Sequence, residues 1–140
     1  MALTNTRTDG YLPVGIHAAP LAEVCARFGA ASASRRKWAD LLRSVVSAAA
    51  SYPSMKRVLV WGSFVSDKPE PADLDYSVVV SVDHAQAGVT DAHRPYFVPF
   101  EARRRFGVDA GYLIIRDYPL ESYVERLDFK IGRASCRERV

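Results

Sequence analysis

Short apolar runs limit what this chain can fold into more than any other feature of its sequence. Residues 57–61 form a short, largely apolar run, and residues 74–82 form a second run that is rich in valine. Both patterns are typical of buried strands. Residues 65–72 lie between them and contain two prolines, so we predict a loop there. Residues 108–115 are predicted to form a third strand, and a β-sheet is therefore expected.

Helical patterns surround these strands. Between residues 34 and 51, apolar side chains recur every three or four positions and predict one buried stripe, made of Trp38, Leu41, Leu42, Val45, Val46 and Ala49. Arg35 lies off that stripe. Further helices are predicted at residues 20–28, within residues 97–106 and after Pro119. The order predicts an α/β (α+β) fold, with a small mixed β-sheet of three or more strands and helices packed on it.

The length and composition fit one soluble domain. The chain has 140 residues, of which 49% are hydrophobic and 25% are charged, a balance typical of globular proteins. No run approaches the roughly 18 apolar residues of a membrane span, and residues 1–10 lack the apolar centre of a secretory signal. We therefore predict no membrane partner and a cytoplasmic location. Residues 1–19 are predicted to be an irregular arm, and residues 20–129 to be the folded domain.

The C-terminal segment, residues 130–140, looks like an in-frame translation of a sequencing adapter and has no helix or strand periodicity. We interpret it as a non-native tail, which implies that the native C-terminus is missing. The alternative is a genuine basic tail that binds nucleic acid. Its four basic residues and one acidic residue carry the whole formal charge of +3. Without it, the charge gives no support for a nucleic-acid partner.

Two aspartates mark the start of the second predicted strand. Asp73 and Asp75 are two residues apart, so on a strand their side chains point to the same face. Carboxylates held side by side repel each other unless a cation lies between them, and Mg²⁺ or Mn²⁺ is the usual cation for oxygen ligands. Taken alone, the pair also fits a loop-to-strand junction with two solvated acids.

A Gly-Ser turn follows the first predicted strand. Gly62 allows the backbone to approach a phosphate closely, and Ser63 offers a hydroxyl and a backbone N–H. We therefore predict that both residues bind nucleotide phosphate, although Ser63 also fits a plain turn. Lys68 in the following loop is a further candidate for phosphate binding, and its alternative is a solvated loop lysine.

These motifs together resemble the nucleotidyltransferase superfamily that includes DNA polymerase β, kanamycin nucleotidyltransferase and the minimal nucleotidyltransferases. The signature is a hydrophobic strand, Gly-Ser or Gly-Gly, a spacer, and then acid-hydrophobic-acid-hydrophobic, which here is residues 60–63 and residues 73–76. Tyr76 departs from the aliphatic residue of many members. Further stretches look like a bacterial family of small uncharacterised proteins assigned to that superfamily; these are residues 15–17, 62–71 and 106–109. This second resemblance covers most of residues 1–129.

The resemblance implies a third carboxylate from a later strand, and Asp109 is the candidate. Asp73 and Asp75 would bind two Mg²⁺ or Mn²⁺ ions, Asp109 would complete the catalytic one, and Ser63 would hold the β and γ phosphates of an NTP. An acceptor hydroxyl, activated by the metal or by Asp109 as base, would attack the α-phosphate and release pyrophosphate. We expect the carboxylates of the three acids to converge within about 8 Å, beside the Gly62–Ser63 turn.

The resemblance leaves the acceptor open. It implies a protein side chain, an RNA end or a small molecule, and some minimal members act as antitoxins toward a partner toxin. Two alternatives to a nucleotidyltransferase remain: a non-catalytic member that binds nucleotide or a partner protein, and an inactive fragment. Other polar residues receive simpler interpretations. The three histidines, His17, His84 and His93, are expected to be surface or locally bonded residues, and the arginines at residues 103–105 either contact a polyanionic acceptor or form a solvated helix face.

Overall fold

The computed structural model describes residues 10, 12, 15–85, 88–114 and 138–139. Within them the strands, numbered in chain order, are β1 Gly15–Ile16, β2 Met55–Trp61, β3 Asp75–Val80, β4 Tyr112–Ile114 and β5 Glu138–Arg139. The helices are α1 Leu21–Phe28, α2 Ala33–Ala49, α3 Arg94–Phe97 and α4 Pro99–Phe106, and a 3₁₀ turn covers Gly62–Val65.

The main part of the described sheet consists of β2, β3 and β4, with β3 between the other two. β2 and β3 are antiparallel, with Trp61 opposite Asp75, whereas β3 and β4 are parallel, with Val78 opposite Tyr112. On the other side of β2, the two-residue strands β5 and β1 extend the sheet. The prediction of an α/β fold with a small mixed sheet is therefore confirmed, and the structure supplies the strand directions that the sequence pattern left open.

The two faces of β3 have different surroundings. Side chains alternate along a strand, and those of Tyr76, Val78 and Val80 join the hydrophobic core that α1 and α2 help to build. The helices contribute large apolar side chains to this core, among them Val24, Phe28, Trp38, Leu42 and Val45. Asp75 and Ser77 have the opposite parity and therefore lie on the other face. The buried hydroxyl of Tyr76 donates a hydrogen bond to the carbonyl of Tyr96, which accounts for an aromatic residue at this core position.

Buried Arg35 ties α2 to the loop that follows β2. Its side chain is almost fully inaccessible, with 4% of its surface exposed. The guanidinium donates hydrogen bonds to four carbonyl oxygens, those of Phe28 at 3.0 Å, Phe64 at 2.7 Å, Ser66 at 2.8 Å, and Lys68. An irregular loop has carbonyls without helix or strand partners, and a guanidinium has five N–H donors to satisfy them. The prediction that Arg35 lies off the buried face of α2 was therefore wrong.

Several element boundaries shift by a few residues. α2 begins at Ala33 because Ser32 is its N-cap and accepts a hydrogen bond from the backbone N–H of Arg35 at 3.1 Å. β2 begins at Met55, ahead of the predicted start. The third predicted strand, residues 108–115, is shorter than expected, because β4 is confined to Tyr112–Ile114 and Asp109 forms only an isolated bridge with β3.

Two elements were missed by the sequence patterns. α3 is a single turn of four residues, too short for helical periodicity to reveal. Gly15–Ile16 forms β1 inside residues 1–19, so the prediction of an irregular arm was wrong at these two residues; their partner strand, β5, is remote in sequence and leaves no local signal.

Other predictions concern parts of the chain that the structure describes little or not at all. The predicted helix after Pro119 lies outside the described residues, as does most of residues 130–140, and the interpretation of that segment as non-native stays a prediction. Among the described helices, none is long and apolar enough to cross a membrane.

Candidate metal centre

Gly62 ends β2 in a conformation that suits glycine. Its φ is 81°, in the left-handed region, where the backbone of residues other than glycine is strained. A Cβ added at this position would overlap the Oδ2 atom of Asp75 on the neighbouring strand. The sequence suggested a glycine that admits a phosphate, and the structure adds a second reason: glycine makes room for a carboxylate.

Ser63 begins a tight turn that its neighbours hold in place. The hydroxyl of Ser66 donates a hydrogen bond to the carbonyl oxygen of Ser63 at 2.6 Å and accepts one from the backbone N–H of Lys68 at 3.1 Å. Ser63 is half-buried, whereas Lys68 is exposed and supplies its carbonyl oxygen to Arg35. Gly62 and Ser63 directly follow β2, Gly62 lies against Asp75, the first residue of β3, and Lys68 lies further along the loop. Ser66, which sequence reasoning missed, is the residue that closes the turn.

The three predicted acids come together at the start of β3. Asp75 is the first residue of that strand and forms a parallel bridge with Asp109, and the backbone N–H of Tyr76 donates to the carbonyl of Asp109 at 3.0 Å. One carboxylate oxygen from each of Asp73, Asp75 and Asp109 lies within 4.8 Å of the other two. The convergence expected within about 8 Å is present.

Burial and mutual repulsion make this arrangement costly for the acids themselves. Burial, followed by the charge of Asp73, raises the pKa of Asp75 to about 6, and the positive charge of Arg103 opposes that change. Burial also raises the pKa of Asp73, although a 2.8 Å hydrogen bond from the backbone N–H of Leu74 and the charge of Arg103 offset part of the effect. A cation between the carboxylates would reverse the direction of both shifts, because it stabilises their charged forms.

Arg103 supplies a positive charge at the centre. Its Nη2 atom pairs with Oδ1 of Asp109, and 61% of the arginine side chain and 50% of the aspartate side chain are exposed. The other two arginines of the run differ: Arg104 is exposed, and Arg105 lies over the ring of Phe106 at 5.7 Å. All three arginines are exposed, as a solvated helix face implies, and the ion pair of Arg103 with Asp109 is a contact that sequence reasoning missed. Arg103 lies six residues before Asp109, and this spacing indicates an ion pair only once the chain between them is known to turn back at Gly107.

The donor set fits a hard divalent cation. Carboxylate oxygens are the ligands that Mg²⁺ and Mn²⁺ prefer, and here three of them converge from two neighbouring chain segments. Because residue 62 is a glycine, no side chain at that position overlaps the Oδ2 atom of Asp75. Among the acidic, histidine and cysteine side chains that the structure describes, these three acids form the group whose ligand atoms are close enough together to hold a metal ion.

The remaining predicted residues lie elsewhere. His84 and His93 were expected to be surface or locally bonded residues, but both have partners remote in sequence: Nδ1 of His84 lies 2.7 Å from the hydroxyl of Ser54, and Nδ1 of His93 lies 2.7 Å from that of Tyr52. His17 lines an apolar cleft between α1, α2 and β2. None of the three acids borders that cleft, so it is separate from the metal centre.

Comparison with known proteins gives a family and no activity. A model of a family of unknown function matches residues 4–130, which include every residue of the candidate centre. The match ends at the residue where the suspected non-native segment begins. Neither the curated proteins nor the solved structures contain a match.

Proposed function

The chain belongs to the DUF6932 family, and since the function of that family is unknown, we propose an activity from the site itself: a metal-dependent nucleotidyltransferase. It would transfer a nucleoside monophosphate from an NTP to a hydroxyl of an acceptor, which is a protein side chain, an RNA end or a small molecule. The observation that carries this proposal is the convergence of three carboxylate oxygens within 4.8 Å, beside a glycine turn against which one of the carboxylates packs.

The electrostatics of the centre support a role for cations. Asp75 has a pKa raised to about 6 by burial and by Asp73, so the described structure holds a carboxylate under conditions that disfavour its charge. Such perturbed acids gathered at one place are typical of functional sites. Bound Mg²⁺ or Mn²⁺ ions, held by these carboxylates, would stabilise the attacking and leaving oxygens of phosphoryl transfer.

The residues of this chain take distinct parts in the proposed reaction. Asp73 and Asp75 would hold the cations, while the hydroxyl and backbone N–H of Ser63 would bind the terminal phosphates. The acceptor oxygen forms a bond to the α-phosphorus as the bond from that phosphorus to the β-phosphate oxygen breaks, and pyrophosphate leaves. The acceptor proton goes to Asp109, which is half-exposed and so is open to a substrate hydroxyl.

Asp75→Asn tests the proposal directly, because it keeps the shape of the side chain and removes its charge. The full chain is incubated with labelled NTPs, Mg²⁺ and a bacterial lysate, and labelled macromolecules and small molecules are separated. We expect the wild type to label an acceptor and Asp75→Asn to reduce labelling by at least about a hundredfold, as for loss of a group that positions a catalytic metal. Asp91→Asn, at an exposed position outside the centre, is the matched control. Undiminished labelling by Asp75→Asn would refute the mechanism.

One observation favours a second candidate, a non-catalytic protein that binds nucleotide. Arg103 occupies Asp109, the residue assigned to the catalytic cation and to the proton. If that pair persists when nucleotide is bound, the protein binds Mg²⁺ and NTP through Asp73 and Asp75 but transfers nothing. Measurable binding of an NTP with Mg²⁺, combined with no labelled acceptor in any fraction, would select this candidate.

A further inference from the structure

We propose that Arg103 is a resident counter-ion of the acidic centre, which competes with a divalent cation for Asp109 and must leave that carboxylate before the cation binds there. The inference rests on the proposed function, since it assumes that the three acids bind cations. It adds a regulatory element, in which the loading of Asp109 depends on the displacement of one side chain.

Arg103 lies where it can compete with a cation for the carboxylate of Asp109. Its guanidinium contacts Oδ1 of Asp109, and a carboxylate oxygen of Asp109 lies within 4.8 Å of those of Asp73 and Asp75. The guanidinium charge also acts on the other two acids, since it favours the charged form of both. The charge of one arginine therefore stabilises the charged forms of all three carboxylates, as a bound cation would.

The backbone of Arg103 is held by the end of α4, whereas its side chain is largely exposed. Arg103 lies in the last turn of α4, where its carbonyl accepts a hydrogen bond from the N–H of Gly107 at 2.9 Å. Gly107 takes a φ of 70°, the left-handed conformation that ends many helices. Because 61% of the Arg103 side chain is exposed, it can turn into solvent without disturbing the core.

Charge decides the competition. A divalent cation on Asp109 and a guanidinium in contact with the same carboxylate repel each other, because like charges a few ångströms apart interact strongly outside bulk water. The guanidinium also occupies part of the Oδ1 atom of Asp109, an oxygen that would otherwise be open to the cation. Removal of Arg103 should therefore strengthen cation binding, whereas a residue that only supports the structure of the centre would weaken binding when removed.

Mn²⁺ binding to the full chain, measured by titration calorimetry without nucleotide, tests this inference. We expect Arg103→Gln to bind Mn²⁺ on the order of fivefold more tightly than the wild type, the upper end of what one exposed ion pair contributes. Arg104→Gln removes the same charge from the next residue, which is exposed, and should bind within about twofold of the wild type, because solvent and salt screen charges that make no contact. Asp75→Asn should lose most of the binding.

A double-substitution cycle separates direct competition from a general effect of charge. In the Asp109→Asn background, Arg103→Gln should no longer strengthen Mn²⁺ binding, because the carboxylate for which they compete is gone. Equal or weaker binding by Arg103→Gln, or strengthening that persists without the Asp109 carboxylate, would overturn the role of Arg103. If Asp75→Asn binds Mn²⁺ as well as the wild type, the cation lies elsewhere, and both this inference and the proposed function fail.

Discussion

Gly62→Ala is the substitution that most directly tests whether the Gly-Ser turn and the acidic centre form one unit. Two separate effects should destabilise this variant. An alanine with a φ near 81° is strained by about 1–2 kcal/mol. Its Cβ would also overlap Oδ2 of Asp75, and displacement of that carboxylate should add about 1–3 kcal/mol, as for other overpacked sites. We therefore expect the free energy of unfolding to fall by about 2–5 kcal/mol.

Gly107→Ala is a matched control for this substitution. Gly107 has a φ of 70°, and a Cβ added there meets no other atom within 4 Å. It should therefore show the conformational strain alone, about 1–2 kcal/mol. Urea unfolding followed by circular dichroism measures both variants, and Mn²⁺ titration should show weaker binding only for Gly62→Ala. Equal losses of stability in the two variants, with unchanged Mn²⁺ binding, would show that the Asp75 carboxylate is not held against the turn.

Two further predictions concern Arg35 and the titration of Asp75. Arg35→Met should lower the free energy of unfolding by about 3 kcal/mol, because buried carbonyls of the loop lose their donors. The control Arg36→Met, at an exposed position, should change the free energy of unfolding by less than about 0.5 kcal/mol. Equal effects of the two substitutions would show that the buried guanidinium does not hold the loop. Because the pKa of Asp75 is raised to about 6 from an ordinary value of about 4, the free energy of unfolding of the cation-free protein should fall as pH rises between these values. Asp75→Asn should make this dependence shallower in urea unfolding at a series of pH values, and an unchanged slope would contradict the assignment.

The main elements of the fold were predictable from the sequence because their signals are local. The apolar stripe between residues 34 and 51 predicted α2, and the short apolar runs predicted β2 and β3. Amphipathic periodicity depends only on neighbouring residues, so these elements needed no knowledge of the rest of the chain. α3 could not be found in this way, because four residues are too few for a period to appear.

The candidate acids were also predictable, for a similar reason. Asp73 and Asp75 are two residues apart at the start of the predicted strand, and strand geometry therefore predicted a shared face. The strand itself begins at Asp75, so the carboxylate of Asp73 reaches that of Asp75 from the chain just before β3. Asp109 was selected by resemblance to a known signature, and its place beside Asp75 depends on the parallel pairing of β3 with β4. The sequence pattern did not distinguish that pairing from an antiparallel one.

By itself, the sequence determined the main strands and helices and singled out Asp73 and Asp75 as a pair of neighbouring acids, because backbone geometry and side-chain periodicity act over a few residues. Only the tertiary structure decided the partners of Arg35 and Arg103. One is buried beneath a loop about 30 residues away in sequence, and the other reaches Asp109 across a helix end. In sequence both look like ordinary charged residues on a helix surface. Their roles arise from the carbonyls and carboxylates that folding brings to them, and that proximity is a property of the whole chain.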